Sequence, residues 1–164
     1  MILLWSNTCT VYFIQFLNIF FIFHFFLKVY PGPSGFPGIT DDDRTALVNK
    51  CTDLSEKGRR IILRFAPEMN GSWFIYGQAP TLYKSEYHKL ANLIRSNAPQ
   101  VALLWSPSSG NGYPYPNGKY SVINGTETAH DLDTNGDGVV GYDDDPYSPY
   151  YPESDLVDWV GLSM

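Results

Sequence analysis

The sequence lacks any run of basic residues. It contains 11 Lys and Arg against 17 Asp and Glu, which gives a formal net charge of −6 at pH 7. Proteins that bind nucleic acids through phosphate contacts need clustered cations, so this composition argues against a nucleic-acid partner. An acidic chain in which 16% of the residues are aromatic suits a neutral ligand such as a sugar.

Cysteine is also scarce, since the chain contains only Cys9 and Cys51. Their spacing does not require a disulfide, and two free thiols are the simpler interpretation, although a disulfide stays open. The sequence shows no internal repeat. Its 164 residues are enough for one domain with a hydrophobic core, and we expect a monomer.

Basic side chains are missing from residues 1–10, ahead of the apolar stretch Val11–Tyr30. A secretion signal normally has Lys or Arg before its apolar core and small residues after it. The apolar region approaches the length that spans a bilayer, about 20 residues. Residues 1–30 are therefore assigned to a separate apolar segment with three open interpretations: a membrane anchor, an atypical secretion signal, or a spurious join in the sequence. The first two predict a membrane-anchored or a secreted, extracellular protein.

The remaining residues, 31–164, alternate short apolar runs with amphipathic stretches, which is typical of α/β proteins. Strands that alternate with helices pair in parallel through right-handed crossovers. The predicted elements are a helix that Thr40 or Asp41 caps, a strand at Arg59–Ala66, a helix at Leu82–Asn97, and strands at Gln100–Pro107 and Leu156–Met164. Three strands cannot close a sheet, and a (β/α)8 barrel typically needs about 250 residues. The predicted fold is therefore a partial TIM barrel, with a long loop excursion over Pro107–Asp155.

Glu68 stands just beyond the first of these predicted strands. In parallel α/β folds, functional residues lie at the carboxyl ends of the strands. Strand alternation puts Arg64 on the same face as Glu68, and Trp73 and Tyr76 can offer flat rings to a sugar. A carboxyl group in this position suits a general acid. The simpler alternative is that Glu68 caps a loop or pairs with Arg64.

The segment LRFAPEMNGSWFIYG, residues 63–77, resembles the acid/base segment of glycoside hydrolase family 26, a group dominated by endo-β-mannanases. LLWSPSSGNG, residues 103–112, resembles the next strand end of that barrel, and VDWVGLSM, residues 157–164, resembles its sixth strand. The family usually has His before the acid/base Glu, whereas this chain has Pro67.

The resemblance implies a retaining glycoside hydrolase that acts on a β-linked polysaccharide such as mannan, with Glu68 as acid/base. It also suggests a set of substrate-binding residues: Arg64, Asn70, Trp73, Tyr76 and Trp105. For Asn70, a role in loop structure stays open beside substrate contact. A retaining enzyme needs a second carboxylate about 5–5.5 Å from the first. In the family this nucleophile lies on the seventh strand, which the given sequence does not reach, so we expect an incomplete barrel that is inactive alone. The alternative is a non-catalytic, calcium-stabilised carbohydrate-binding or vestigial protein.

The acidic segment at residues 133–144 has the spacing of a calcium-binding loop. The candidate ligands are Asp133, Asn135, Asp137, the carbonyl of Val139, and Asp144, at loop positions one, three, five, seven and twelve. Gly138 supplies the sharp turn at position six. We therefore expect a structural Ca²⁺ site, and the alternative is an acidic, solvated turn.

Overall fold

The computed structural model describes residues 2–4, 9–15 and 24–164. Among them, six strands form one sheet in which the strand order follows the chain. The strands are β1 (Ile2–Leu4), β2 (Cys9–Gln15), β3 (His24–Pro31), β4 (Arg60–Phe65), β5 (Ala102–Trp105) and β6 (Trp159–Val160). The pairs from β1 to β3 are antiparallel, whereas β3, β4, β5 and β6 form a parallel sheet.

Helices connect the parallel strands. They are α1 (Asp41–Glu56), α2 (Pro80–Asn97) and the short α3 (Glu127–Leu132), with 3₁₀ turns at Phe36–Gly38 and Ser148–Tyr150. Helix α1 joins β3 to β4 and α2 joins β4 to β5, so the chain has the β-α-β rhythm that the sequence predicts. The result is an α/β fold with a four-stranded parallel sheet.

The parallel sheet has four strands rather than the predicted three. The additional strand β3, His24–Pro31, pairs with β4 over six residues of each strand. Its residues were assigned to the apolar N-terminal segment, and the boundary drawn at residue 30 falls inside this strand. Residues 16–23 of the predicted membrane or secretion segment lie outside the described residues. Within the described ranges, no helix is long and apolar enough to cross a membrane.

Side chains alternate between the two faces of the sheet and so separate a core from a cleft. On the helix-covered face, at most 5% of each strand residue is exposed: Leu27, Val29, Ile61, Leu63, Phe65, Leu103 and Trp105. On the opposite face, half-buried side chains line an open cleft: Phe26 and Lys28 from β3, Arg64 from β4 and Leu104 from β5. In the predicted second helix, Tyr83, Tyr87, Leu90 and Ile94 recur at helical spacing, and this stripe is buried against the helix-covered face.

The start of α1 is capped as the sequence indicates. The Thr40 side chain accepts from the backbone N–H of Asp43, and the Asp43 carboxylate accepts from the backbone N–H of Thr40. A buried ion pair fastens α1 to α2, because Arg44 Nη1 lies 2.5 Å from Glu86 Oε2. These contacts hold the helical layer that supports β4 and β5.

The connection from β5 to β6 is irregular over most of its length, as expected for the loop excursion predicted at Pro107–Asp155. Its only α-helix within the described residues is α3. β6 is two residues long, much shorter than the predicted strand Leu156–Met164, although Ser163 forms a further isolated parallel bridge with Ser108. This connection packs over the carboxyl ends of β4 and β5, where the candidate site lies.

Candidate active site

Glu68 lies at the carboxyl end of β4 in a rarely populated backbone conformation. Ala66 and Glu68 have φ values of 42° and 57°, in the region that non-glycine residues seldom occupy. The backbone N–H of Glu68 donates to the carbonyl of Ser106 over 2.9 Å, which joins the ends of β4 and β5. Such strained positions cluster at functional sites and persist only where the surroundings hold them.

The Glu68 carboxylate faces the cleft and has defined partners. The indole N–H of Trp73 donates to Glu68 Oε2 over 2.9 Å. Arg64 Nη2 lies 4.0 Å from Glu68 Oε1, and 28% of the Glu68 side chain is exposed. The cleft has a volume of about 590 Å³. The carboxylate is therefore oriented by an indole and a guanidinium while it stays accessible from the cleft.

Trp73 is the exposed aromatic side chain nearest to this carboxylate. Its exposed fraction is 38%, and its ring meets Tyr115 edge to face with centroids 5.0 Å apart. Tyr115 belongs to the long connection after β5, so the aromatic pair is assembled from distant parts of the chain. An indole held in this way can present a flat face to a sugar ring.

Two glycines allow the loop after Glu68 to fold back on itself. A Cβ at Gly71 would lie 2.3 Å from the Trp73 ring, and a Cβ at Gly77 would lie 2.0 Å from the carbonyl oxygen of Gly71. The loop closes further through the backbone N–H of Gln78, which donates to the Met69 carbonyl over 2.8 Å. The spacing of the glycines in this motif is thus explained by close backbone approach.

Asn70 is fully buried and binds backbone groups instead of facing the cleft. Its Nδ2 donates to the carbonyls of Ser108 and Pro146 over 3.0 and 3.2 Å, and its Oδ1 accepts from the backbone N–H of Ser108 over 2.8 Å. Of the two roles that the sequence left open, this geometry supports loop structure and not substrate contact.

Tyr76 and Trp105 also point away from the cleft, and this geometry does not support their predicted roles in substrate binding. Tyr76 is 2% exposed and its hydroxyl donates to the Pro67 carbonyl over 2.9 Å. Burial raises the pKa of this phenol. Trp105 is 5% exposed and its indole N–H donates to the Tyr150 carbonyl over 3.2 Å. Both rings belong to the core because they lie on the helix-covered side of the sheet.

Lys28 is not among the sequence-predicted site residues, yet it lines the cleft together with Arg64 and Glu68. Lys28 and Arg64 are partners in the β3–β4 register. The signal was a short alternation inside the apolar segment, where Phe26 and Lys28 alternate with the buried Leu27 and Val29. The bulk hydrophobicity of residues 11–30 hid this period-two pattern.

Glu68 has the only carboxylate side chain among the described residues that line this cleft. The other lining residues are Phe26, Lys28, Arg64, Leu104, Ser106, Gly161, Leu162, Ser163 and Met164. Arg64 Nη2 also donates to the hydroxyl of Ser163. The described lining therefore offers one carboxyl side chain and two cationic side chains, but no second carboxylate side chain for a two-carboxylate mechanism.

The predicted calcium loop folds as a compact acidic turn. Asp133 accepts from the backbone N–H groups of Gly136, Asp137 and Gly138 over 2.8–3.1 Å. Asp144 is 4% exposed, and its Oδ1 accepts from the N–H of Thr134 over 2.6 Å.

Asp144 is further occupied by two other backbone groups. It accepts from the N–H of Asn135 over 3.2 Å and from that of Gly141 over 2.7 Å. In residues 24–164 and the shorter described ranges, no three His, Cys, Asp or Glu side chains lie close enough together to hold a metal ion. The loop therefore fits Ca²⁺ only in part, because the bonds to Asp144 occupy a ligand that the ion would need.

The fold resembles that of known mannanases. The GH26 domain of an endo-β-mannanase/endo-β-glucanase from Prevotella bryantii superposes with a TM-score of 0.52 at 15% identity, over 80% of this chain and 38% of that one. A mannanase from Bacillus subtilis matches with a TM-score of 0.47 at 19% identity, over 74% of this chain and 30% of that one. The chain thus spans less than two fifths of the structures it matches. It matches no protein-family model and no curated protein. The chain has a fold like that of the GH26 mannanases.

Proposed function

We propose that this chain carries the acid/base part of a retaining glycoside hydrolase site that acts on a β-linked polysaccharide such as mannan. The observation that carries the proposal is the Glu68 carboxylate, which lies at the end of β4, on an open cleft, with one oxygen bonded to the indole of Trp73. The GH26-like fold supports the same assignment. Glu68 would protonate the departing glycosidic oxygen and later activate water.

The hydrogen bond from Trp73 gives the two carboxyl oxygens of Glu68 different roles. Glu68 Oε2 accepts the indole N–H, so a proton on the carboxyl group is carried by Oε1. The ring of Trp73 would contact the sugar beside the bond that breaks. A fixed donor orientation reduces the reorganisation that proton transfer requires.

We expect these 164 residues to bind an oligosaccharide without hydrolysing it. Manno-oligosaccharides should bind, and Trp73→Ala should weaken the affinity roughly tenfold, measured by calorimetry. Trp159→Ala is the matched control, since Trp159 is 60% exposed and lines a separate pocket with Arg60 and Gln100, at the amino ends of β4 and β5. Equal effects of the two substitutions would contradict a sugar contact at Trp73.

The second candidate function is carbohydrate binding without hydrolysis. It is favoured by the single carboxylate side chain among the described lining residues, because retaining hydrolysis needs two. We expect no release of reducing sugar from mannan by this chain. Release at an enzyme's rate that Glu68→Gln abolishes would refute that expectation and would remove this second candidate.

Calcium binding at residues 133–144 stays a proposal about stability. Asn135, Asp137 and the carbonyl of Val139 would supply ligands together with Asp133 and Asp144. If the ion binds the folded state, millimolar Ca²⁺ should raise the melting temperature above its value in chelator, and Asp137→Ala should abolish the shift. Identical melting curves with Ca²⁺, Mg²⁺ and chelator would contradict the proposal.

A further inference from the structure

The cleft beside Glu68 holds two cations that proton donation by Glu68 does not require. Lys28 on β3 and Arg64 on β4 are direct partners in the parallel register and line the same cleft. Two cationic side chains against the one carboxylate side chain of Glu68 leave the described lining side chains with an excess positive charge. This excess contrasts with the net charge of −6 on the chain as a whole.

Arg64 has hydrogen-bonding capacity left. A guanidinium has five N–H donors, whereas the Arg64 side chain donates only to the Ser163 hydroxyl among the described residues. Its Nε is buried without a hydrogen-bond partner, and 12% of the side chain is exposed. Buried polar groups are normally satisfied. An acceptor that enters the cleft would therefore find a largely desolvated guanidinium with unused donors.

Lys28 has no ion-pair partner within the residues that the structure describes. It is half-buried and shares the cleft wall with the apolar side chains of Phe26, on its own strand, and Leu104, on β5. A cation held against apolar walls focuses its field into the cleft and raises the local concentration of anions. The pair of cations thus favours an anionic group over a neutral one.

We propose that the cleft binds a glycan that carries a carboxylate, such as a uronic acid unit, and that Lys28 and Arg64 hold this carboxylate next to Glu68. The inference rests on the proposed function and names its substrate class. An arginine fork matches the two oxygens of a carboxylate, and the lysine adds a point charge. One carboxylate charge balances the excess, whereas a doubly charged phosphate ester would exceed it.

The test compares two oligosaccharides that differ in one group. A neutral β-linked manno-oligosaccharide and the same oligosaccharide with one uronic acid unit are titrated into the chain in a calorimeter. The acidic ligand should bind at least about tenfold more tightly, and added salt should reduce this preference. Lys28→Gln should remove most of the preference. Lys84→Gln, a matched control on α2 outside the cleft, should retain it.

Equal affinity for the two ligands would overturn the inference, and so would a preference that survives in Lys28→Gln with its circular dichroism spectrum unchanged. Binding of the neutral ligand that depends on Trp73, without any preference for the acid, would overturn this inference alone. Binding of neither ligand would overturn the proposed function as well. If free glucuronate bound as tightly as the acidic oligosaccharide, and Trp73→Ala left that binding unchanged, the site would bind a carboxylate without recognising a sugar. That result would also overturn the inference.

Discussion

Asn70→Ala should destabilise the fold rather than only weaken ligand binding. The Asn70 side chain is fully buried and makes three hydrogen bonds, two to the carbonyls of Ser108 and Pro146 and one from the Ser108 N–H. The substitution removes all three and leaves buried backbone groups without these partners. Each unsatisfied buried group costs about 1–3 kcal/mol. Since loops can partly readmit water, we expect a loss of about 3 kcal/mol in the free energy of unfolding.

Thermal unfolding followed by circular dichroism measures this loss. For a chain of this size, 1 kcal/mol corresponds to about 2–4 °C in Tm, so Asn70→Ala should melt about 6–12 °C lower. Asn92→Ala is the control, since Asn92 is exposed on α2, and it should change stability by less than about 0.5 kcal/mol. An unchanged Tm together with lost oligosaccharide binding would refute the structural role and restore Asn70 as a substrate contact.

The other predictions concern a close backbone approach and an acid-sensitive carboxylate. Gly77→Ala should lower the free energy of unfolding, measured in urea, by about 3 kcal/mol or more, because its Cβ would lie 2.0 Å from a backbone oxygen. Gly58→Ala is the control: Gly58 has a φ of 75° and open space around it, so the loss should be about 1 kcal/mol. Equal losses in the two variants would contradict the reasoning. Although desolvation opposes the shift, backbone N–H groups around residues 134–141 hold the pKa of Asp144 below its usual value. Its contribution is therefore present above about pH 4 and is lost as the pH falls further. In chelator, the free energy of unfolding of Asp144→Asn should fall less between pH 5 and pH 3 than that of the parent chain. Identical pH profiles of the free energy of unfolding would exclude this role.

Local patterns predicted much of the helical layer. Thr40 precedes three acids and caps α1, and the stripe from Tyr83 to Ile94 is buried on one face of α2. Capping and amphipathic spacing act within a few residues, so the sequence carries them directly. The same holds for Glu68, whose place at a strand end follows from the apolar run before it.

Strand β3 could not be recognised from hydrophobicity alone. His24–Pro31 lies at the end of a long apolar stretch, in which bulk hydrophobicity masks the alternation of buried and cleft-facing residues. Its pairing with β4 joins residues that are separated by the whole of α1. Lys28 became a candidate binding residue only through that pairing.

Sequence alone determined which residue types are available at this strand end: a carboxylate, a tryptophan and two glycines, in an α/β rhythm. Only the tertiary structure decided which of the predicted aromatic rings reaches the Glu68 carboxylate, because Trp73 is exposed and bonds to it whereas Tyr76 and Trp105 are buried on the helix-covered side. It also decided that the Asn70 side chain forms a hydrogen bond with the loop after β5, and that Lys28 lies next to Arg64 in the sheet. The physical reason is that capping and periodicity are local, whereas the direction of a side chain depends on strand register and on what packs against each face.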